Sequence, residues 1–239
     1  MTHLLDIFIG VIFAVMILFC CYQGFLRSLF SLAGFFVAML IAIVFSPLLA
    51  RNISEIDLIE VTLFSYSEGA EMLDESDYEL ARIPVSQLSP EQIDRVVENG
   101  SYPYPIGRLL EKNLYERSFE GKGVTQLGDY ISYTFLSFFC HTIAFILVFA
   151  LAFAFVLVGI AVFDSALPFP VLRRFDGLFA GLVGLLISLL LGMVVMLMVP
   201  NVLFMVGKQL EFVQEMVSQS IFAGTFYHHN FLFWFIRGS

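Results

Sequence analysis

A few ionisable side chains lie in or beside the long apolar stretches of this chain, where a charge is costly and is usually paired or functional. Five of them gather near the ends of those stretches: Arg27, Asp164, Arg173, Arg174 and Asp176. Pairing of Arg27 with Asp176 or with Asp164 is the simplest arrangement, and it would pin two helix hairpins together. Ligand binding or proton transfer by the same residues is the alternative.

Asp6 and His141 are two further titratable residues within the apolar stretches. His141 could change its charge near neutral pH, which is what a proton relay requires. An intramembrane histidine more often hydrogen-bonds a neighbouring helix, and two titratable residues do not define a transport pathway. Both are therefore candidate intramembrane titratable positions, with structural bonding as the simpler interpretation.

Other residue types that commonly carry chemistry form weaker patterns. Cys20, Cys21 and Cys140 all lie in apolar stretches and are interpreted as small apolar residues. His228-His229 has no third ligand nearby, and Asp74-Glu75-Ser76-Asp77 lacks the glycine and terminal glutamate of a calcium-binding loop. No nucleophile, base and oxyanion donor can be assembled from known motifs. The sequence therefore predicts no catalytic, cofactor or metal site.

These residues are carried by four apolar runs of the length that a helix needs to cross a bilayer. The runs are Leu4–Tyr22, Ser28–Ala50, Ile131–Phe163 and Leu178–Pro200. The predicted fold is an all-α integral membrane protein with four transmembrane helices arranged as two hairpins. A small helical extracytoplasmic insertion and an amphipathic C-terminal helix complete it. The predicted parts are residues 1–50, 51–127, 128–200 and 201–239.

Charge is concentrated in the predicted insertion. Only 14% of the chain is charged, and residues 51–127 hold 15 of the 21 acidic and 7 of the 12 basic residues. An acidic insertion disfavours nucleic acid as a partner and provides no polybasic lipid-binding site. The lipid bilayer itself is the predicted environment of the apolar runs.

The basic residues of the short links predict the topology. Short loops rich in Lys and Arg stay cytoplasmic. Arg27 lies in the link between the first two runs, and Arg173-Arg174 lies in the link between the last two. Two crossings separate these links, so both signals place them on the same side. Both termini and residues 51–127 are then predicted to be extracytoplasmic.

The insertion contains helix signals but few apolar residues. Ser89-Pro90-Glu91-Gln92 is typical of a capped helix start, and Gly100 is a stop signal. A second helix is predicted at Ile106–Arg117, and a weaker third one in the acidic run Glu68–Glu79. We expect a small helical cap on the membrane face, without an independently folding core.

The C-terminal tail is predicted to lie at the membrane interface. Lys208, Glu211 and Glu215 interrupt its apolar character, so it does not form a fifth crossing. Apolar residues recur at helical spacing between Val206 and Ile221, with polar residues opposite, as in an interfacial amphipathic helix. Trp234, the sole tryptophan, is interpreted as an interfacial anchor.

Small residues form stripes on the second and fourth apolar runs, which allows helix backbones to approach closely in lipid. The stripes consist of Ser31, Gly34, Ala38 and Ala42 on the second run, and of Gly177, Gly181, Gly184, Ser188 and Gly192 on the fourth. We predict that the second and fourth helices pack together along these stripes. Ordinary glycine enrichment in membrane helices is the alternative.

Several short motifs resemble those of the colicin V production protein (CvpA) family. They are Gly24-Phe25-x-Arg27 with the following Ser28-Leu29-Phe30-Ser31-Leu32, Pro170-x-Leu172-x-x-Phe175-Asp176-Gly177 running into Gly181 and Gly184, and Pro103-x-Pro105. The order of two helices, a long loop, two helices and a tail is also similar. The resemblance spans most of the chain.

The resemblance implies a bacterial inner-membrane protein linked to colicin V production or export and to envelope homeostasis. Together with the absence of a catalytic pattern, it favours a scaffold or accessory component with an unidentified membrane or envelope protein as partner. The alternative is a small oligomeric transporter or channel, which is suggested by the charge cluster, Asp6 and His141. No enzymatic activity is expected.

Overall fold

The computed structural model describes residues 4–54, 72–100, 102–166, 176–206 and 219–236. Within these ranges every regular element is a helix, which confirms the predicted all-α class. The described residues also include an isolated antiparallel bridge between Pro84 and Gln126. Residues 167–175, with Arg173 and Arg174, and most of the predicted amphipathic tail helix lie outside the described residues.

The described α-helices are α1 (Leu4–Gln23), α2 (Phe25–Ser54), α3 (Pro90–Asn99), α4 (Ile106–Glu116), α5 (Leu127–Ala166), α6 (Asp176–Met196), α7 (Val199–Val206) and α8 (Ile221–His228). Short 3₁₀ helices lie at Glu75–Arg82, Val85–Gln87, Glu120–Lys122 and Phe231–Trp234. The chain folds into two compact units. Unit 1 consists of Met1–Ser46, Phe145–Met196 and Gln214–Asn230, and unit 2 of Pro47–Ala144, Leu197–Val213 and Phe231–Ser239.

Three stretches of the described chain are long and apolar enough to cross a membrane. They are Phe25–Ser54, Leu127–Asp164 and Asp176–Met205. In α1, whose backbone spans the 20 residues Leu4–Gln23, the apolar stretch counted among the described residues is Ile9–Gln23. The prediction of a membrane protein with several apolar helices is therefore confirmed. Three of the four predicted spans have the required length and apolar character among the described residues.

Two local features set the ends of these helices. Gly24 alone separates α1 from α2, and its φ of +89° is the left-handed conformation that glycine adopts at little steric cost. Its N–H donates to the carbonyl oxygen of Cys20 at 3.1 Å, which ends α1. The ring of Pro200 is incompatible with a helical bond to the carbonyl of Met196, so α6 ends there and α7 begins three residues later.

Helix α5 is about twice as long as a crossing requires. Its 40 residues span about 60 Å, at about 1.5 Å per residue. Large exposed apolar side chains on α5 occur between Leu147 and Phe163, whereas large residues from Leu127 to Phe145 are mostly buried. The second half of α5 therefore has the exposed apolar surface of a membrane helix, while its first half is covered by protein.

The insertion has a buried core, and it shares that core with a helix that lies mostly outside the insertion. Its buried apolar residues include Leu80, Val85, Ile93, Val96, Ile106, Leu110, Leu114 and Phe119. They are joined within unit 2 by the first half of α5, whose Tyr130 and Phe135 are fully buried. The insertion by itself holds few apolar residues, as the composition indicates. The first half of α5, which the sequence assigns largely to a membrane span, completes its core.

The helix signals of the insertion are largely confirmed. Ser89 caps α3 with a complete capping box, because its Oγ accepts from the Gln92 N–H at 3.3 Å while the Gln92 side chain accepts from the Ser89 N–H at 2.9 Å. Helix α4 ends one residue earlier than predicted, where Arg117 adopts the left-handed conformation. The described part of the acidic run forms the 3₁₀ helix Glu75–Arg82 instead of an α-helix.

Candidate functional site

The start of α2 in unit 1 is the meeting point of the charged residues that the sequence singles out. An ideal Cβ at Gly24 would lie 2.8 Å from Oδ2 of Asp176, so the glycine leaves the room that this carboxylate occupies. A carboxylate beside the first turn of a helix is stabilised by the helix dipole. Asp176 is thus placed against the first turn of α2, the turn that also carries Arg27.

Arg27 pairs with Asp164, one of the two partners that the sequence offers it. The guanidinium Nη1 lies 3.0 Å from the Asp164 Oδ2, and both side chains are about 30% exposed. The pair joins the beginning of α2 to the end of α5. Of the five residues predicted to cluster, the structure therefore positions three, and Arg173 and Arg174 lie outside the described residues.

The glycine stripe of α6 faces α1, and the predicted packing of this stripe against α2 is wrong. A Cβ at Gly181 would lie 3.0 Å from the sulfur of Cys21, and a Cβ at Gly184 would lie 3.1 Å from the backbone Cα of Ile17. The Cys21 thiol also donates to the carbonyl oxygen of Gly177 at 3.2 Å. The stripe therefore allows close approach of α6 to the end of α1.

The small residues of α2 have a different neighbour. A Cβ at Gly34 would overlap Cγ1 of Val156 on α5, and Ala38 and Ala42 are fully buried. Helices α2 and α6 do contact each other, but through large rings, since the centroids of Phe25 and Phe179 lie 5.8 Å apart. Helices α1, α2, α5 and α6 all carry small residues, so small residues on α2 and α6 do not determine which helix each of them packs against.

Ser188, another small residue of the predicted stripe, is buried on α6 at 2% exposure. Its hydroxyl donates to the carbonyl oxygen of Leu185 at 2.9 Å, within the same helix. Its polar group is thereby satisfied without a partner on another helix. Ser188 contributes to packing by its small volume, as the glycines do.

Asp6 caps the N-terminus of α8, more than 200 residues later in the chain. Its Oδ1 accepts from the Ser220 hydroxyl at 2.6 Å and from the Phe222 N–H at 3.1 Å, and its Oδ2 accepts from the Ile221 N–H at 3.3 Å. Ser220 itself accepts from the Ala223 N–H at 3.0 Å. Helix N-termini favour such acceptors, and the carboxylate complements the dipole. No local sequence signal relates Asp6 to Ser220.

His141 and the tail histidines have local contacts. Nδ1 of His141 lies 2.8 Å from the carbonyl oxygen of Ser137, one turn earlier on α5. The ring of His228 lies against Tyr227, with centroids 5.0 Å apart. Among the described residues, no group of three histidine, cysteine or carboxylate side chains is arranged to hold a metal ion.

A buried carboxylate organises the insertion in unit 2. Asp77 is 1% exposed and lies 3.0 Å from Nε of Arg95, and Nδ2 of Asn99 donates to it at 3.4 Å. The pKa of the Tyr102 phenol is raised, mainly by burial of the ring and to a smaller extent by the nearby charge of Asp77. The ion pair with Arg95 and the hydrogen bond from the Asn99 amide compensate the buried charge of Asp77. These two contacts tie α3 to the preceding 3₁₀ helix.

A groove in unit 2 is a concave surface that sequence reasoning missed. It has a volume of about 800 Å³ and lies between α4 and the C-terminal 3₁₀ helix. The Arg108 guanidinium lies 5.8 Å from the ring centroid of Trp234, and Tyr104 packs edge-on against Phe233 at 5.7 Å. Trp234 is 76% exposed. The available signal was the pair of basic residues one turn apart on α4, Arg108 and Lys112.

Comparisons with known proteins agree with the resemblance noted in the sequence. The family model described as colicin V production protein matches residues 5–73, which include α1 and α2 with the Gly24 junction. No curated protein matches the chain, and no solved structure does.

Proposed function

We propose that this chain is a CvpA-like protein of the bacterial inner membrane that acts as a scaffold or accessory component. Its process would be production or secretion of a colicin V-type toxin, or envelope homeostasis. The observation that carries the proposal is the match of the colicin V production family model to residues 5–73. The apolar helices α2, α5 and α6 support the membrane location.

The contacts of the polar residues in unit 1 support a scaffold role. Asp6 accepts hydrogen bonds that cap α8, Arg27 pairs with Asp164, and Asp176 lies at the start of α2. Each of these contacts joins two helices that are distant in the chain. A scaffold needs fixed helices, and these residues fix them. We assign the chain no catalytic role and no cofactor.

We further propose the topology that follows from the positive-inside rule. The Gly24 junction faces the cytoplasm, and both termini and residues 51–127 are extracytoplasmic. A cysteine introduced by Ser76→Cys, at an exposed position, should react with an impermeant maleimide in intact cells. The control Gln23→Cys, beside the junction, should react only after lysis. The opposite labelling pattern would invert the topology.

Purification of the full-length protein from its own membranes in mild detergent, followed by mass spectrometry, tests the scaffold role. A second protein recovered in stoichiometric amount supports an accessory component, and its identity gives the pathway. A homo-oligomer recovered alone contradicts this role. Flux assays in liposomes would then test the protein as a transporter or channel.

A further inference from the structure

The groove between α4 and the C-terminal segment combines cationic and aromatic side chains on one surface. Arg108 and Lys112 lie one turn apart on α4, and both are exposed. Trp234 and Phe233 form the facing wall. Glu111 is the acidic residue among those that line the groove, so the lining holds two cations and one carboxylate. Lys112 also forms an ion pair with Glu116, with Nζ and Oε2 3.9 Å apart, but both side chains are exposed and solvent screens the pair. The balance of the lining residues is positive, although the insertion as a whole is acidic.

The exposed aromatic residues beside the groove have the character of a membrane interface. Trp234 is 76% exposed, and Phe231 and Phe235 are 39% and 43% exposed. Tryptophan is enriched at the level of the lipid headgroups, where one side is apolar and the other is hydrated.

Unit 2 itself contains parts of membrane-crossing helices. It includes the last residues of α2 and all of α7, both of which belong to stretches apolar enough to span a bilayer. Leu48 on α2 and Met205 on α7 are exposed at 64% and 39%. The groove therefore belongs to a part of the molecule that reaches the bilayer, where phospholipid is the most abundant molecule available to it.

We propose that this groove binds the phosphate headgroup of an anionic phospholipid between Arg108 and Lys112, with its glycerol and upper acyl region against Trp234 and Phe233. A guanidinium donates two parallel hydrogen bonds to a phosphate, and an ammonium adds a point charge. Contact of Arg108 with the indole face keeps the guanidinium oriented toward the groove. This inference is independent of the scaffold role and goes beyond the polybasic binding that the acidic composition disfavours.

The sole tryptophan makes the site directly observable, because all indole fluorescence of the protein comes from Trp234. Full-length protein in neutral detergent micelles is titrated with phosphatidylglycerol or phosphatidylcholine brominated on the acyl chains, which quenches indoles at short range. Two cations near a headgroup predict half-quenching by phosphatidylglycerol at a roughly tenfold lower mole fraction than by phosphatidylcholine. Equal quenching by the two lipids would overturn the proposal.

Paired variants separate the site from general electrostatics. Arg108→Gln with Lys112→Gln should raise the half-quenching fraction of phosphatidylglycerol to that of phosphatidylcholine. The control, Arg82→Gln with Lys122→Gln, removes two exposed cations outside the groove and should leave the preference unchanged. Loss of the preference in both pairs, or in neither, would overturn the proposal. Relief of the quenching by inorganic phosphate at equal concentration would identify a soluble anion as the ligand and would also overturn it.

Discussion

The two units of this chain differ in where their closest contacts lie. In unit 1 backbones approach closely where side chains are absent, since Gly181 and Gly184 face α1 and Gly34 faces Val156 of α5, and the rings of Phe35 and Phe149 pack beside them with centroids 5.0 Å apart. In unit 2 the core is filled by large side chains, and the rings of Phe135 and Phe204 stack with centroids 3.8 Å apart.

The difference follows from what drives each association. Between helices in lipid the hydrophobic effect supplies little, so backbones must approach closely enough for van der Waals contact. The insertion in unit 2 carries most of the charge of the chain and is therefore hydrated. Burial of its apolar residues away from water lowers the free energy of the folded state. Unit 1 should therefore be sensitive to added volume and unit 2 to removed volume.

Removal of a large side chain from unit 2 gives the largest expected effect. Leu110 is fully buried, so Leu110→Ala should lower the free energy of unfolding by about 3 kcal/mol, within the usual range for a buried leucine. Thermal unfolding of the full-length protein in detergent, followed by circular dichroism, measures the change. The control Leu48→Ala, at a 64% exposed position of the same unit, should shift the melting temperature much less. Equal shifts would refute the distinction.

Added volume in unit 1 should have the next largest effect. Gly184→Leu places a side chain against the backbone of Ile17, which cannot yield as a flexible side chain would, and should cost about 1 to 3 kcal/mol. Gly159→Leu is the matched control, because a Cβ there meets no atom within 4 Å. The melting temperature of both variants in one detergent decides the matter. A stable Gly184 variant would mean that the α1–α6 contact is looser than described.

Loss of the long-range cap should be a smaller but measurable change. Asp6→Ala leaves the N-terminus of α8 with fewer acceptors and should cost about 1 kcal/mol, the usual contribution of a helix cap. Asp6→Asn keeps an acceptor oxygen and should cost less. Protease protection of residues 219–230 and the melting temperature report the effect. Loss of transport flux in a stably folded Asn variant would instead support a transporter.

Local patterns explain which features could be predicted from the sequence. The capping box at Ser89 and the helix at Ile106 depend on neighbouring residues, and the apolar spans depend on composition over about 20 positions. Features that combine distant parts of the chain could not be predicted in this way. Asp6 and Ser220 meet across 214 positions, and the groove joins Arg108 to Trp234. Nothing in either local sequence identifies the other.

The wrong packing prediction and the shared core of the insertion have related physical causes. The small residues on α2 and α6 predict close packing, but a stripe specifies only that a backbone can approach, and α1 and α5 are equally able to be the neighbour. The insertion is too poor in apolar residues to form a core alone, and the first half of α5, which the sequence assigns largely to a membrane span, completes that core. Tyr130 and Phe135 on that half are fully buried in unit 2.

The smallest expected effect concerns the ion pair of unit 1, and it asks whether charge or packing holds the helix ends. Arg27 and Asp164 are both about 30% exposed, so solvent screens the pair, and a double-mutant cycle with Arg27→Gln and Asp164→Asn should give a coupling of about 0.2 to 1 kcal/mol. Thermal unfolding of the four proteins at low and high salt measures it. A coupling well above this range that resists salt would mean that the pair is shielded from water. Helix ends in unit 1 would then be fixed by charge as well as by the absence of side chains.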